Sequence, residues 1–311
     1  MSVDNKSGKD AADLGITSEN LTYIYPSTGV TGLADVNINL PWNSRTLLIG
    51  PNGAGKSTLL RLLAGKTLAK FGSIRIGGYD PFRGGSDAQG ITTYLGTEWA
   101  SNPVVRRDMS VLLLINSVGG DNFPEKRDEL IELLDINLNW KMNNVSDGER
   151  RRVQLVMGLL KPWTVLLLDE VTVDLDVLVR ARLIAFLKKE TLTRKCCIVY
   201  ATHIFDGLST WPTHVIHMSG GKVLKNLEIG KSLIIDDKTH NISKQERIKL
   251  EPVYSIHPLA LNWLVQDLVE RGSREEEKNR PTWEELKKKF EHIYFDQPDR
   301  VGEYFSRNRR L

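Results

Sequence analysis

The stretch Leu47-Leu-Ile-Gly-Pro-Asn-Gly-Ala-Gly-Lys-Ser-Thr-Leu-Leu-Arg-Leu-Leu-Ala64 decides how the rest of the chain is read. It opens as a short apolar strand, Leu47 to Ile49. It continues as G-x-x-x-x-G-K-S, and it ends in the helical pattern Thr58 to Ala64 with Gly65 as a stop. A strand, a glycine loop and a helix in that order are suited to holding phosphate. Glycines let backbone N–H groups close around phosphate oxygens, and the helix N-terminus adds the positive end of its dipole. The loop supplies Gly50, Pro51, Asn52, Gly53, Ala54, Gly55, Lys56 and Ser57, followed by Thr58. Lys56 is placed to reach the β- and γ-phosphates of a nucleotide, and Ser57 to ligate Mg²⁺. A chance glycine turn would need both flanks to be coincidental as well.

Working outward, Leu166-Leu-Leu-Asp169-Glu170 is an apolar strand that ends in paired carboxylates. Beside a phosphate loop, Asp169 suits a Mg²⁺ ligand, and Glu170 suits the group that orients or deprotonates the attacking water. His203 ends a second apolar strand, Ile198-Val-Tyr-Ala-Thr-His203, where it could hydrogen-bond the γ-phosphate. A lone histidine at a strand end is usually structural, so that role depends on its company. About ninety residues beyond the loop stands Val145-Ser-Asp-Gly-Glu-Arg-Arg-Arg-Val-Gln154, a second phosphate-friendly helix start. Its three arginines read as a solvated or interface face in preference to a nucleic-acid patch, because the basic run is short.

At 311 residues the chain can bury a large core and carry an appendage. Its 41% hydrophobic and 26% charged content are ordinary for a soluble protein, and a net charge of +3 is too small to argue for nucleic acid or a membrane surface. Cys196 and Cys197 are adjacent in an apolar run, which suits a buried strand in a reducing compartment and no disulfide or zinc framework. The polar N-terminus has no secretory signal, and no run approaches the ~18 apolar residues of a membrane span.

Residues 1–16 read as a disordered lead. Leu21 to Tyr25 and Val36 to Leu40 alternate like strands of a half-exposed antiparallel sheet, and Gly72 to Gly78 is a strand closing in a turn. Residues 81–90 read as loop. Helices are expected over Met109–Val118, over Glu125–Leu134 and after Gly148. Buried strands at Val165–Leu168 and Cys196–Tyr200, separated by a helix over Val179–Glu190, argue for a parallel sheet covered on both faces. Two late helices follow, Pro258–Glu270 and Pro281–His292.

These motifs together resemble the ABC ATPase family, over residues 17–225. The resemblance implies an α/β fold, a P-loop NTPase cassette with a RecA-like parallel core, an antiparallel β subdomain and a helical signature subdomain over about residues 101–160. Residues 226–311 would be a C-terminal extension with two helices. It implies that Tyr25, with Tyr23 as fallback, stacks on adenine. Val145-Ser146-Asp147-Gly148-Glu149 takes the place of the family signature, Asp174-Leu-Asp176 that of the loop facing the partner cassette, and His203 that of the switch histidine. Ser146, Gly148 and Asp176 would then contact ATP across an ATP-dependent homodimer, or a heterodimer with a related cassette.

Two departures stand out. Thr97 or Glu98 occupies the position of a glutamine that serves Mg²⁺ and a membrane partner, and Glu149 closes the signature where glutamine is usual, adding a carboxylate near the nucleotide. The stretches Leu40–Leu60, Thr92–Trp99, Leu159–Leu183, Tyr200–Leu208 and Ser255–Leu264 are similar to a soluble single-cassette fungal branch of the family associated with the CCR-NOT transcription-regulatory complex. That implies CCR-NOT or transcription-machinery subunits as partners, and a cytoplasmic location with the nucleus as a second. The alternative is the ATPase subunit of an ABC transporter whose membrane subunit is a separate chain. A tandem two-cassette translation factor is disfavoured by the single cassette.

Overall fold

The computed structural model describes residues 14–84, 90–231 and 256–271. The chain divides into two compact units, Met1–Val265 and Gln266–Leu311. Within the first unit, β1 (Leu14–Ile24) pairs antiparallel with both β2 (Thr31–Pro41) and β4 (Phe71–Ile76) in a three-stranded sheet. Leu14, Gly15 and Ile16 therefore begin a strand where the sequence reading ends a disordered lead; Ile16 is fully buried.

The second sheet has six strands in the order β5 (Thr92–Leu95), β6 (Val165–Asp169), β7 (Cys197–Ala201), β3 (Arg45–Ile49), β8 (His214–Ser219) and β9 (Lys222–Glu228). All neighbours are parallel except β8 and β9, which pair antiparallel as a hairpin. The central strands are apolar throughout because successive side chains enter different cores. Leu47, Leu166, Leu168 and Tyr200 face one core, and Leu48, Val165, Leu167 and Val199 face the other. The second core is closed by α1 (Lys56–Leu63) and the antiparallel sheet.

The first core receives α3 (Val111–Ser117), α4 (Pro124–Leu133), α5 (Asp147–Leu160) and α6 (Val177–Thr193). A short helix, α2 (Glu98–Ser101), precedes them. The three helices expected between residues 101 and 160 are present, and α5 starts at Asp147, one residue ahead of Gly148. The β8–β9 hairpin was not anticipated from sequence; it carries the cassette's sheet past residue 225 to Glu228.

The late helix α7 (Ile256–Arg271) begins within the first unit, and its residues Ile256, Leu259, Ala260 and Trp263 join the first core. The Trp263 ring stacks on His217 of β8 at 4.8 Å, with the Lys225 ammonium 5.1 Å from its centre. His257 packs edge-on against Phe205. The expected helix at Pro281–His292 lies outside the described residues. Trp263 is 1% exposed, so Trp263→Ala removes a large packed side chain and is expected to destabilise the fold by about 3–5 kcal/mol. A chemical-denaturation midpoint close to that of the parent protein would show that α7 contributes little to the core.

Candidate nucleotide site

The parallel strands β5, β6, β7, β3 and β8 end on one edge of the sheet, and the candidate site residues sit where they end. The glycine loop leaves β3, Glu170 follows β6, His203 follows β7, and Gly220 and Gly221 follow β8. A cleft of about 460 Å³ lies there, lined by loop residues Asn52 to Thr58 with Tyr25, Glu170, Gly220 and Gly221. The glycine pair after β8 is an addition to the residues read from sequence; its signal was the bare Gly-Gly turn itself.

The loop geometry requires its glycines. Gly55, at φ 99°, forms the N-terminal boundary of α1, and a Cβ there would stand 2.7 Å from Leu33 and 2.9 Å from the Gly32 carbonyl. No side chain caps α1, so its first-turn amides are left to whatever enters the cleft. The Lys56 ammonium donates to the Gly50 and Pro51 carbonyls at 2.7 and 3.0 Å and lies 3.3 Å from His203 Nε2. Burial lowers its pKa, opposed by the nearby Glu170 and Asp169 carboxylates.

Ser57 Oγ donates to Asp169 Oδ1 at 3.1 Å, and the Tyr94 hydroxyl donates to Asp169 Oδ2 at 3.0 Å. Burial pushes the Asp169 carboxyl above the usual range, while these two hydrogen bonds pull it down. His203 Nε2 stands 3.2 Å from Glu170 Oε1. Burial first, then the Lys56 ammonium, hold His203 below its ordinary value, against the pull of Glu170. A proton on Nε2 therefore selects between Glu170 as acceptor and Lys56 as donor. Glu170 takes φ 54°, a left-handed conformation that side chains other than glycine rarely adopt, and its N–H bonds the Ala201 carbonyl at 2.9 Å.

A nucleotide with Mg²⁺ fits this set. The cradle is uncapped and glycine-built, the cation Lys56 crosses it, and Ser57 and Asp169 present hard oxygen donors side by side. Among the described residues no group of three or more His, Cys, Asp or Glu is arranged to hold a metal ion. Tyr25 lines the cleft, its hydroxyl on Thr58 Oγ1, while Tyr23 packs edge-on behind it with ring centres 5.1 Å apart. Of the two tyrosines, Tyr25 is the one that lines the cleft.

The second phosphate-friendly segment is not part of this cleft: Ser146, Gly148 and Asp176 are absent from its lining. Ser146 caps α5 through a capping box, its hydroxyl accepting from the Glu149 N–H at 3.2 Å while Glu149 Oε2 accepts from the Ser146 N–H at 2.7 Å. The carboxylate of Glu149 is thereby occupied by its own helix start. Gly148 cannot carry a side chain, since a Cβ would lie 2.5 Å from the Asp174 carbonyl. Asp176 caps α6, accepting from the Val179 N–H at 3.0 Å.

The arginine run corrects the sequence reading. Arg150 and Arg151 are buried at 4% and 3% exposure, so they form no solvated face. Arg150 binds Asp147 and the Met142 and Val145 carbonyls. Arg151 donates to the Gly96 carbonyl at 3.0 Å and reaches Asp174 at 3.4 Å, and Arg152 pairs with Asp135 and Asp176. Where the family has its glutamine, Glu98 is engaged by Arg61, and the Thr97 side chain makes no cap bond to α2. Tyr94, three residues before Thr97, was missed as a site residue; its contact with Asp169 spans 75 positions of sequence.

A family model described as ABC transporter matches residues 33–173. The chain is 47% identical over 277 residues to the CCR4-associated factor 16 of Saccharomyces cerevisiae, covering 82% of this chain and 96% of that protein. The chain belongs to the ABC ATPase family. The cassette is also 43% identical over 244 residues to the ABC transporter I family member 20 of Arabidopsis thaliana, 74% of either protein being covered. Among solved structures, a dimeric ATP-binding cassette in a post-hydrolysis state with ADP and Pi matches with a TM-score of 0.58 at 18% identity, over 68% of this chain and 98% of that one; a likeness at that identity speaks for the fold. The cassette is an ATPase of the ABC type, and no helix among the described residues is long and apolar enough to cross a membrane.

The capping box makes a pH-dependent prediction. The Ser146 backbone N–H, then its hydroxyl, hold the Glu149 carboxyl below its ordinary range. A depressed carboxyl contributes stability that is complete above its unfolded value of about 4.3 and is lost as pH falls through the lower folded value. Glu149→Gln keeps an acceptor but loses the charge at the helix N-terminus, and is expected to cost about 0.3–1 kcal/mol at neutral pH. Melting curves of parent and variant should converge as pH falls below about 4; a constant gap would assign the effect to packing.

Proposed function

We propose that this cassette is a stand-alone ATPase that binds MgATP in the cleft at the end of β3 and β6 and acts as a nucleotide-driven clamp within a gene-regulatory assembly. The observation that carries the catalytic part is the convergence of Lys56, Ser57, Asp169, Glu170 and His203 from three separate strand ends, paired as Lys56 with His203, His203 with Glu170 and Ser57 with Asp169. Lys56 would neutralise the terminal phosphates, and Ser57 with Asp169 would hold Mg²⁺. A cation held by these two residues would supply stabilisation of the charge that develops on phosphoryl transfer. Glu170 would accept the proton of the attacking water, with His203 holding the carboxylate in place.

The capping-box segment and Asp176 supply the second half of the argument. Ser146, at the exposed start of α5, is bonded through its hydroxyl to Glu149 and meets no phosphate-holding group among the described residues, and Val173 and Val177 flank Asp174–Asp176 as exposed apolar side chains. A surface of that kind suits the same face of a second copy, with each ATP held between Lys56 of one protomer and Ser146 of the other. The dimeric cassette with ADP and Pi supports this arrangement by analogy. The regulatory assignment leans on the name of the yeast relative, which ties that protein to CCR4. The names of the family model and of the plant relative favour the second reading, a subunit of an ABC transporter. Capture of partners from soluble as against membrane fractions separates the two.

Lys56→Ala is expected to abolish binding of a labelled ATP analogue at equilibrium, and unchanged affinity would remove the glycine loop from the site. Glu170→Gln keeps shape and loses the base, so steady-state phosphate release should fall by about 10²–10⁴-fold. The same variant should sediment as a dimer with ATP and as a monomer without it. A monomer at saturating ATP would show that Ser146 does not act across an interface between copies of this chain.

A further inference from the structure

The cassette lacks the glutamine expected at Thr97 or Glu98, yet Asp169 is not held by Ser57 alone. Tyr94 on β5 stands in register with Leu167 of β6, which puts its side chain on the same face of the sheet as Asp169 two residues further on. Its hydroxyl donates to Asp169 Oδ2 at 3.0 Å while Ser57 donates to Oδ1 at 3.1 Å, so the two oxygens of one carboxylate are assigned to two partners. The ring itself is fixed. The Lys66 ammonium lies 4.6 Å from its centre.

We propose that Tyr94 is a positioning residue of this ATPase: its hydroxyl anchors one oxygen of Asp169 so that the other stays turned toward Ser57, where the divalent cation is shared with the nucleotide. The proposal rests on the assignment of Asp169 and Ser57 to the cation. The torsion that turns a carboxylate about its terminal bond is broad and weakly preferred, so an aspartate bound at one oxygen only would sample several orientations. Tyr94 removes that freedom. A tyrosine hydroxyl carries its proton at neutral pH and is therefore available as a donor. The Gln154 amide donates to the Gly96 carbonyl at 2.9 Å. Outer partners that orient a metal-ligating group typically contribute 10–100-fold to metal affinity.

Tyr94→Phe deletes the hydroxyl and keeps the ring. In the full chain carrying Glu170→Gln, binding of a fluorescent ATP analogue is titrated with Mg²⁺ and repeated in EDTA. The half-saturating Mg²⁺ concentration is expected to rise about 10–100-fold, with the affinity in EDTA unchanged. Asp169→Asn runs beside it. If Asp169→Asn shifts the Mg²⁺ requirement and Tyr94→Phe leaves it within twofold of the parent, Tyr94 does not position the carboxylate and the proposal falls while the cation assignment stands. If neither variant shifts it, Asp169 is not the cation's ligand, and both ideas fall. An equal loss of affinity with Mg²⁺ and in EDTA would make Tyr94 a packing residue, which also overturns the proposal.

Discussion

The carboxylate of Asp169 is the point on which the site turns. It is 6% exposed at the end of a strand buried on both faces, and an ionised carboxylate in such a place is tolerable only if its oxygens are hydrogen-bonded and countercharge is near. Ser57 and Tyr94 provide the first, and Lys56, also 6% exposed, helps provide the second. Desolvation drives the carboxyl up and the ammonium down; the hydrogen bonds of Ser57 and Tyr94 restrain the first, and the charges of Glu170 and Asp169 restrain the second. Because Asp169 and Lys56 arrive on different strands, the sheet register that aligns β3 and β6 with β7 between them is a condition of the chemistry as well as of the fold.

A second dependence runs through α5. Arg151 and Gln154 share the Gly96 carbonyl at the exit of β5, Arg151 reaches Asp174, and Arg152 holds Asp176 at the start of α6. One helix thereby fixes the loops that follow β5 and β6, and its own start, Ser146, is locked by Glu149. The arginines resemble a basic patch only when written in a line. In three dimensions they are ties between segments, and their positive charge is largely consumed by carbonyls and aspartates.

What could be read from the chain depended on how local its cause was. The glycine loop, the apolar strand ending in Asp169-Glu170 and the helix after Gly148 were legible because each motif carries its own physical reason within ten residues. Leu14 to Ile16 were not, since three strand residues behind a polar lead give no period. The β8–β9 hairpin escaped because His214 and His217 interrupt β8 and because β9, Lys-Val-Leu-Lys-Asn-Leu-Glu, is a mostly exposed edge. Arg150 and Arg151 were read as a solvated or interface face because charged residues usually lie at the surface, and their partners include backbone carbonyls that no sequence pattern marks. Tyr94 was invisible for a related reason: its partner lies 75 positions away and only the strand register brings the two together.

The docking of α7 has an evolutionary consequence. Trp263 covers His217 and meets Lys225, and His257 of the same helix touches Phe205, two positions past His203. These residues come from three separate segments of the chain, and none can be exchanged freely while the others stay. A lineage that lost the helix would uncover an imidazole and a phenyl ring on the flank of its sheet, and substitutions at 205, 217 and 225 would have to follow. Positions 205 and 257, and 217, 225 and 263, should therefore covary as two linked sets. Cassettes without the late helix should carry polar or smaller residues where this chain has Phe205 and His217.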